Sequence, residues 1–357
     1  MSANPRLDID LAKLQHNAHT VVELARLRGV SVTGVVKGCC GDPRVGRAML
    51  DGGVAALGDS RVANLARLRA GLPGCELWLL RLPMPSEVAK VVRLADLVLI
   101  SEPATARLLG QEATRTGRAV KVLLMVDVGD LREGVWPDRV VEVAMAMARI
   151  PGLDLVGLGT NLACYGGVVP DPQNMGTLLS ATRAVETALG RTLQVISGGN
   201  SANLNLFLDG RLPRGITNVR IGEGILMGRE AVARQPVPGT YQDAFTLVAE
   251  VIEEAMKPSV PLGCIGQDAF GRVPSFEDRG IRRRAILAAG RQDLAADGIF
   301  PREEGVFVLG ASSDHLLVDV TESRRSWAPG GEMAFDINYT TLLQAMTSPY
   351  VTKCYVG

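Results

Sequence analysis

The chain is expected to form an α/β fold, a (β/α)8 barrel followed by a smaller, mostly β domain. Three observations predict this. Eight short apolar runs, each followed by an amphipathic helical stretch, fill the first 230 or so residues, and eight strand-then-helix units are the count of such a barrel. The strand runs lack the strict polar alternation of a half-exposed sheet, as expected when helices cover one face and a packed interior the other. After about Met227 the texture changes to short β-rich runs punctuated by Pro and Gly. A doubly wound sheet is the competing arrangement, since strand counts read from one sequence slip easily.

The units run in order. The strand runs are Ser31–Lys37, Ala55–Asp59, Glu76–Leu82, Leu97–Ser101, Lys121–Val128, Leu153–Asn161, Leu193–Gly199 and Asn218–Gly224. Helical stretches follow from Pro43, Ser60, Pro85, Glu102, Pro137, Gln173 and Ser201. The barrel is thus expected over 11–230. The β domain is expected over 231–357, with runs Thr246–Val251, Arg284–Ala289, Gly305–Leu309 and His315–Val320, joined by a strand from residues 1–10. No long helical pattern is visible in this second part.

The 357 residues are 47% hydrophobic, enough for a sizeable core, and carry 38 basic and 38 acidic side chains. That balance argues against nucleic acid or an anionic membrane as a main partner. No uninterrupted apolar stretch reaches membrane-spanning length, and the opening residues are polar, so the protein is expected in the cytoplasm. The six cysteines form no C-x-x-C pair, which reads as free thiols. His16 and His19 can share a helix face, but an ordinary partly exposed helix explains them, and no metal is expected.

Barrel chemistry sits at the C-terminal ends of the strands. Lys37 ends the first run, directly after Val35 and Val36. At the edge of a buried strand its charged form is disfavoured, as a Schiff-base lysine requires; a lysine snorkelling to solvent is the simpler reading. The seventh and eighth runs end in glycine-bearing loops, Ser197-Gly198-Gly199-Asn200-Ser201 and Gly222-Glu223-Gly224. Glycines let backbone N–H groups approach an anion, and a helix start adds unpaired donors; a tight turn with an N-cap serine is the alternative. Arg220 lies on the eighth run, either as a structural ion-pair partner or facing the barrel mouth. A phosphate site, a lysine and such an arginine together point to pyridoxal phosphate. Arg220 against the pyridine nitrogen would not give up a proton, which suits proton abstraction and return better than chemistry needing a long-lived carbanion.

The segments PRLDIDL, VVKGCCGDP, MVDVGDLREGVW, GTNLACYGG, ISGGNSANL, RIGEGILMGRE, GTYQDAFTL, DRGIRRRAILAAGRQD, LGASSDH and MTSPYV span nearly the whole chain. In these the chain resembles the alanine racemase family of fold type III pyridoxal-phosphate enzymes, in its ornithine-racemase-like branch. The resemblance implies that Lys37 carries the cofactor and serves as base on one face of Cα. It implies that Arg132 contacts the cofactor's phenolic oxygen or the substrate carboxylate, that Asn161 lies against the ring, and that Arg220 meets the ring nitrogen. Phosphate contacts fall to Ser201, the backbone around Gly222 and Tyr350, and Ser197, Asn200 and Glu223 are implied to line the cofactor site. Ser313, Asp314 and His315 are implied to bind substrate from a partner subunit, in a head-to-tail homodimer with shared sites. The resemblance implies an amino-acid racemase, with ornithine or another basic amino acid as substrate.

Two departures stand out. Cys39, Cys40 and Gly41 fill the loop where the family has a tyrosine after its lysine, and the opposite-face tyrosine has no equivalent in Leu262–Phe270. A racemase needs a second base, for which Cys264 and Asp268 are candidates; Asp268 can instead bind a distal amine, and Cys264 can be a small buried packing residue. Other enzymes of this scaffold (an epimerase, aldolase or decarboxylase) remain alternatives, as does a non-catalytic pyridoxal-phosphate-binding protein. Metal-dependent aldolases of the scaffold carry a His-x-Cys pair, whereas Leu316 and Leu317 follow His315 here.

Overall fold

The computed structural model describes residues 4–357. They divide into two compact units, one covering Leu11–Gln242 and the other residues 4–10 with Asp243–Gly357. Among the described residues no helix is long and apolar enough to cross a membrane.

After β1 (Arg6–Asp10), which belongs to the second unit, helix α1 (Leu11–Arg26) leads into the barrel. Its strands are β2 (Ser31–Val35), β3 (Ala56–Asp59), β4 (Leu77–Leu79), β5 (Leu97–Ile100), β6 (Val120–Met125), β7 (Leu153–Gly159), β8 (Val195–Ser197) and β9 (Asn218–Ile221). All pair in parallel, and β9 closes on β2. The missing alternation has its physical cause here: every residue of β5, Leu-Val-Leu-Ile, is buried, because helices cover one face and barrel side chains such as Trp78, Leu99 and Met125 pack the other. Helices α2 (Pro43–Asp51), α3 (Val62–Gly71), α4 (Val88–Leu94), α5 (Pro103–Thr116), α6 (Val140–Ala148), α7 (Pro172–Leu189), α8 (Leu204–Leu208) and α9 (Glu223–Leu226) follow their strands. Several open on proline with an acidic N-cap, as α2 does with Asp42, α5 with Glu102 and α7 with Asp171. Such a cap satisfies the orphan N–H groups that proline leaves.

Several strands stop before their apolar runs do: β2 at Val35 rather than Lys37, β5 at Ile100 rather than Ser101, β7 at Gly159 rather than Asn161. The residues left over form the loops of the barrel mouth. The first unit also extends past 230. Buried Asn17 on α1 donates to Ile225 O (3.0 Å) and Tyr241 O (2.7 Å) and accepts from Tyr241 N (2.7 Å), pinning the segment after α9 to the barrel.

The second unit is built on β10 (Phe245–Pro258), followed by β11 (Ile281–Leu287), β12 (Ile299–Pro301), β13 (Phe307–Ala311), β14 (Leu316–Asp319), β15 (Glu332–Ile337), helix α10 (Tyr339–Thr347) and β16 (Thr352–Val356). The strands run β12-β15-β10-β11-β14-β13, with β1 antiparallel to β10 and parallel to β16. A bulge between Val251 and Glu253 interrupts the pairing of β10 with β11. Its core includes Leu7, Ile9, Phe245 and Phe335, all fully buried. The sequence does not suggest β15, β16 or α10. β15 buries only alternate residues, and α10 depends on its Asn338 cap, which accepts from Thr341 N at 3.0 Å.

Candidate active site

Beyond β2, Val36 N still donates to Gly58 O of β3 (3.0 Å), and the chain then turns through a single 3-10 turn, Lys37–Cys39. This places Lys37 at the C-terminal mouth of the barrel. Its side chain is exposed, which corrects the expectation of burial: the strand has ended two residues earlier. Cys39 behind it is fully buried, and burial pushes its thiol well up, so it stays protonated. Gly41 closes the turn at φ 62°, where a Cβ would come within 2.7 Å of Asn64 Cβ. A side chain at this position would therefore require Asn64 to move.

The glycine loops after β8 and β9 come together. Gly199 adopts φ 135°, a conformation essentially reserved for glycine. Asn200 then caps the next turn, its side chain accepting from Ala202 N at 2.8 Å. Ser201 Oγ accepts from Gly222 N (3.2 Å) and Gly224 N (3.1 Å), tying the two loops together. A Cβ on Gly224 would meet Leu204 Cδ1 at 2.4 Å, so close loop packing requires glycine there. Its neighbour Glu223 pairs with Arg234. Burial raises the Glu223 carboxyl, while Arg234 and Lys37 draw it back down.

Arg220 is the buried cation of the site. It donates to Thr160 O (2.6 Å) and to Ser197 Oγ, which itself donates to Asn218 Oδ1 at 2.8 Å. Burial lowers its pKa to about 10; Glu133 and Cys164 oppose that fall, and Arg132 adds to it. At neutral pH the guanidinium therefore remains charged. It is not held by a structural carboxylate contact, so the ion-pair alternative falls away. Arg132 pairs through two nitrogens with Glu133; burial lowers its proton affinity, but Glu133 and Cys164 outweigh this and leave it raised. Asn200 Nδ2 donates to Asn161 Oδ1 (3.0 Å), Leu162 O (2.8 Å) and Cys164 Sγ (3.3 Å). Asn161 Nδ2 is buried with no partner among the described residues. Asp130 braces this side, accepting from Cys164, Tyr165 and Val168 N–H groups across the loops after β6 and β7.

The remaining candidates lie in the second unit. Cys264 is exposed, not a buried packing residue. Asp268 is exposed too, and accepts from Phe270 N and Arg272 N, both at 2.9 Å. These backbone donors hold its carboxyl below the usual range. Ser313 is partly exposed, Asp314 and His315 fully so. Their turn packs on Gly290, where a Cβ would lie 2.2 Å from Ser313 O, and Asp314 Oδ1 accepts from Gln292 Nε2 at 2.7 Å. Tyr350 is 65% exposed. Asp293 joins the two segments, accepting from Ser348 Oγ (2.7 Å) and Gly290 N (3.2 Å). Its carboxyl is buried in that structural role.

Sequence reasoning missed Asp59 and Glu133. Asp59 ends β3 fully buried, and Glu133 is the carboxylate that pairs with Arg132 and acts electrostatically on Arg220. The available signal was position alone, a carboxylate at or just beyond a strand end.

A parallel eight-stranded barrel with a lysine past its first strand, a buried arginine on its last, two joined glycine loops and a separate antiparallel sheet defines the class of the alanine racemases. The chain belongs to the alanine racemase family, whose N-terminal-domain model matches residues 9–230. It is 43% identical over 352 residues to the lysine racemase of Thermotoga maritima, covering 98% of each chain. To the ornithine racemase of Acetoanaerobium sticklandii it is 38% identical over 350 residues, covering 98% of this chain and 99% of that one. Among solved structures, an alanine racemase from Bartonella henselae with covalently bound pyridoxal phosphate superposes with a TM-score of 0.76 at 15% identity, over 99% of this chain and 100% of that one. A D-threonine aldolase from Filomicrobium marinum gives 0.72 at 17% identity, over 96% and 90%. These structures share the fold.

Proposed function

We propose that the chain racemises a basic amino acid, lysine or ornithine, with pyridoxal phosphate attached to Lys37. The observation that carries this reading is the arrangement around the barrel mouth, with Lys37 at the end of β2, Arg220 buried on β9, and Ser201 joining the two glycine loops. The names of the two full-length relatives supply the substrate class.

The residues present fit the cofactor. Ser201, whose oxygen accepts from Gly222 and Gly224, keeps its own hydrogen to donate to a phosphate. The amine of Lys37 is exposed at the mouth, Arg220 supplies a fixed cation, and the buried Asn161 Nδ2 lacks an acceptor. Pyridoxal phosphate, when bound, supplies the electron withdrawal that acidifies the substrate Cα–H.

The chain's own groups do the rest. Lys37 Nζ takes the Cα proton from one face in one direction of the reaction and supplies a proton to that face in the other. Arg220, charged at neutral pH and a poor proton donor, would hold the ring nitrogen of the cofactor without protonating it, which suits proton abstraction and return. Arg132, set by Glu133, offers its guanidinium to a carboxylate. The opposite face needs a second acid–base group. Asp268, with its proton affinity lowered by two backbone N–H groups, suits contact with a distal ammonium, which leaves Cys264 to move the proton. In this reading Cys264, Asp268, Ser313, Asp314 and His315 reach the barrel of a second copy, in a cytoplasmic homodimer, and Tyr350 contributes to the phosphate.

The test is incubation of the cofactor-loaded protein with single-enantiomer lysine, ornithine or alanine in heavy water. Loss of the Cα proton signal with inversion on chiral chromatography is expected for lysine or ornithine. No exchange with any of them would overturn the reading.

A further inference from the structure

Lys37 stands between two carboxylates that arrive on the strands flanking its own. β2 pairs with β3 on one side, Val35 opposite Gly58, and with β9 on the other, Gly34 opposite Ile221. Asp59 follows Gly58 directly, and Glu223 lies just beyond Ile221. Lys37 acts electrostatically on both. Their situations differ: Glu223 is engaged by Arg234, whereas Asp59 is only half satisfied.

Asp59 is fully buried. Its Oδ1 accepts from Arg61 N (2.9 Å) and Asn64 Nδ2 (3.0 Å), which caps the entry to α3. Its Oδ2 is buried with no hydrogen-bond partner among the described residues. A carboxylate oxygen held this way is costly unless a donor reaches it. The groups acting on Asp59 are the backbone and side-chain donors of Ser60, Arg61 and Asn64 from its own turn and α3, with the Cys39 thiol and Lys37 from the turn after β2. Lys37 is the cation in that set. Burial pushes the Asp59 carboxyl up, the donors of Arg61, Asn64 and Ser60 draw it back, and Lys37 adds a smaller electrostatic pull in the same direction.

We propose that Asp59 is a positioning residue for Lys37, its free oxygen accepting the ε-ammonium and so fixing where the amine rests and how readily it gives up a proton. This rests on the reading of Lys37 as the working lysine. When Nζ has taken the Cα proton, Asp59 holds the resulting ammonium beside β3 at the mouth while the second acid–base group protonates the opposite face, and Nζ gives a proton back to carbon only when the reaction runs in the other direction. The aspartate itself neither gains nor loses one.

A carboxyl that only capped α3 would be replaced by asparagine without consequence, because Oδ1 and both of its donors are retained. The test is therefore Asp59→Asn, studied in cofactor-free protein by trace labelling with acetic anhydride from about pH 6 to about pH 10. Mass spectrometry reads the acetylation of Lys37 against exposed Lys90 as internal reference. The expected result is several-fold faster acetylation of Lys37 near neutral pH, a profile displaced to lower pH, and an unchanged melting temperature. Equal acetylation in the two proteins would overturn the proposal. Should Asp59→Asn not fold, Asp59→Ser keeps an acceptor for Arg61 N–H and carries the same measurement; failure of both to fold assigns Asp59 to the fold alone and also overturns it. Racemisation by the wild-type protein, assayed in parallel, separates the two readings. Unchanged labelling with intact racemisation removes only the role of Asp59, whereas altered labelling with no racemisation of any amino acid removes only the proposed function.

Discussion

At the scale of single residues, the chemistry depends on groups whose surroundings differ sharply over a few ångströms. Lys37 is exposed while Cys39, two residues on, is fully buried, and Arg220 remains cationic although no carboxylate bonds to it. Lys37→Ala is expected to lower racemisation by about 10²- to 10⁴-fold, the range for loss of a positioned general base. Because the side chain is exposed, the melting temperature should fall only slightly, by the partner lost to Asp59; calorimetry beside the heavy-water assay checks both. Lys37, Ser201 and Arg220 were legible because each stands at a strand end, where a barrel keeps its chemistry. Asp59 stood in an equally visible place, yet a carboxylate before Ser60 reads as a helix start, and it is one. That its second oxygen lacks a partner is a property of three strands meeting, which no single stretch of sequence contains. The burial expected of Lys37 failed for a related reason, since where β2 ends is set by pairing with its neighbours and not by its own apolar run.

At the scale of elements, the second unit is held by a few close approaches. Gly290 lies against the backbone of Ser313 and Asp314, so Gly290→Ala must displace the turn that carries Ser313, Asp314 and His315. A cost of about 1–3 kcal/mol is expected from overpacking, with slower racemisation but unchanged acetylation of Lys37. Urea melts and the labelling assay measure the two. On the far side of the sheet, Arg6 of β1 grips Glu332 of β15 through two hydrogen bonds, 2.6 and 2.9 Å, which lowers the Glu332 carboxyl to about 2. A depressed carboxyl stabilises the fold above its unfolded value near 4.5 and loses that contribution as pH falls through about 2. Glu332 is 43% exposed, so solvent screening keeps the contribution small. The difference in melting temperature between wild type and Arg6→Ala should therefore narrow between those two pH values; a constant difference would remove the pair from the acid response. The barrel strands could be read from apolar runs buried on both faces. β15 buries alternate residues and α10 leans on an asparagine cap, and such weak local signals become elements only once a neighbouring strand supplies the other half of the packing.

At the scale of the whole molecule, the candidate residues fall into two sets, Lys37, Arg132, Asn161, Ser201 and Arg220 in the barrel unit, and Cys264, Asp268, Ser313 and His315 in the β unit. If a working centre draws one set from each of two copies, light scattering should give about twice the 37.9 kDa chain mass. A mixing experiment is sharper. Lys37→Ala and Cys264→Ala proteins, each impaired alone, should form hybrids in which one of the two centres carries both intact groups. Refolded together in equal amounts, they should recover about a quarter of wild-type activity; no recovery would place both groups within one copy. The barrel topology, the β-rich second part and the pairing of the opening strand with it follow from patterns of apolar residues. The position of the division, past 230 at Gln242, does not, because it is made by one buried asparagine holding the loop around Tyr241.

The strand β1 pairs with β10 and β16 but with nothing in the barrel that follows it in the chain. During synthesis it leaves the ribosome before the barrel and must wait for more than two hundred residues before β10 appears, and longer still for β16. The barrel needs none of these strands to close, since β2 to β9 pair only among themselves. Until then β1 is a short unpaired edge of the kind that recruits other chains, and its alternating charges, Arg6, Asp8 and Asp10, serve as protection in that interval before they serve as contacts in the finished sheet.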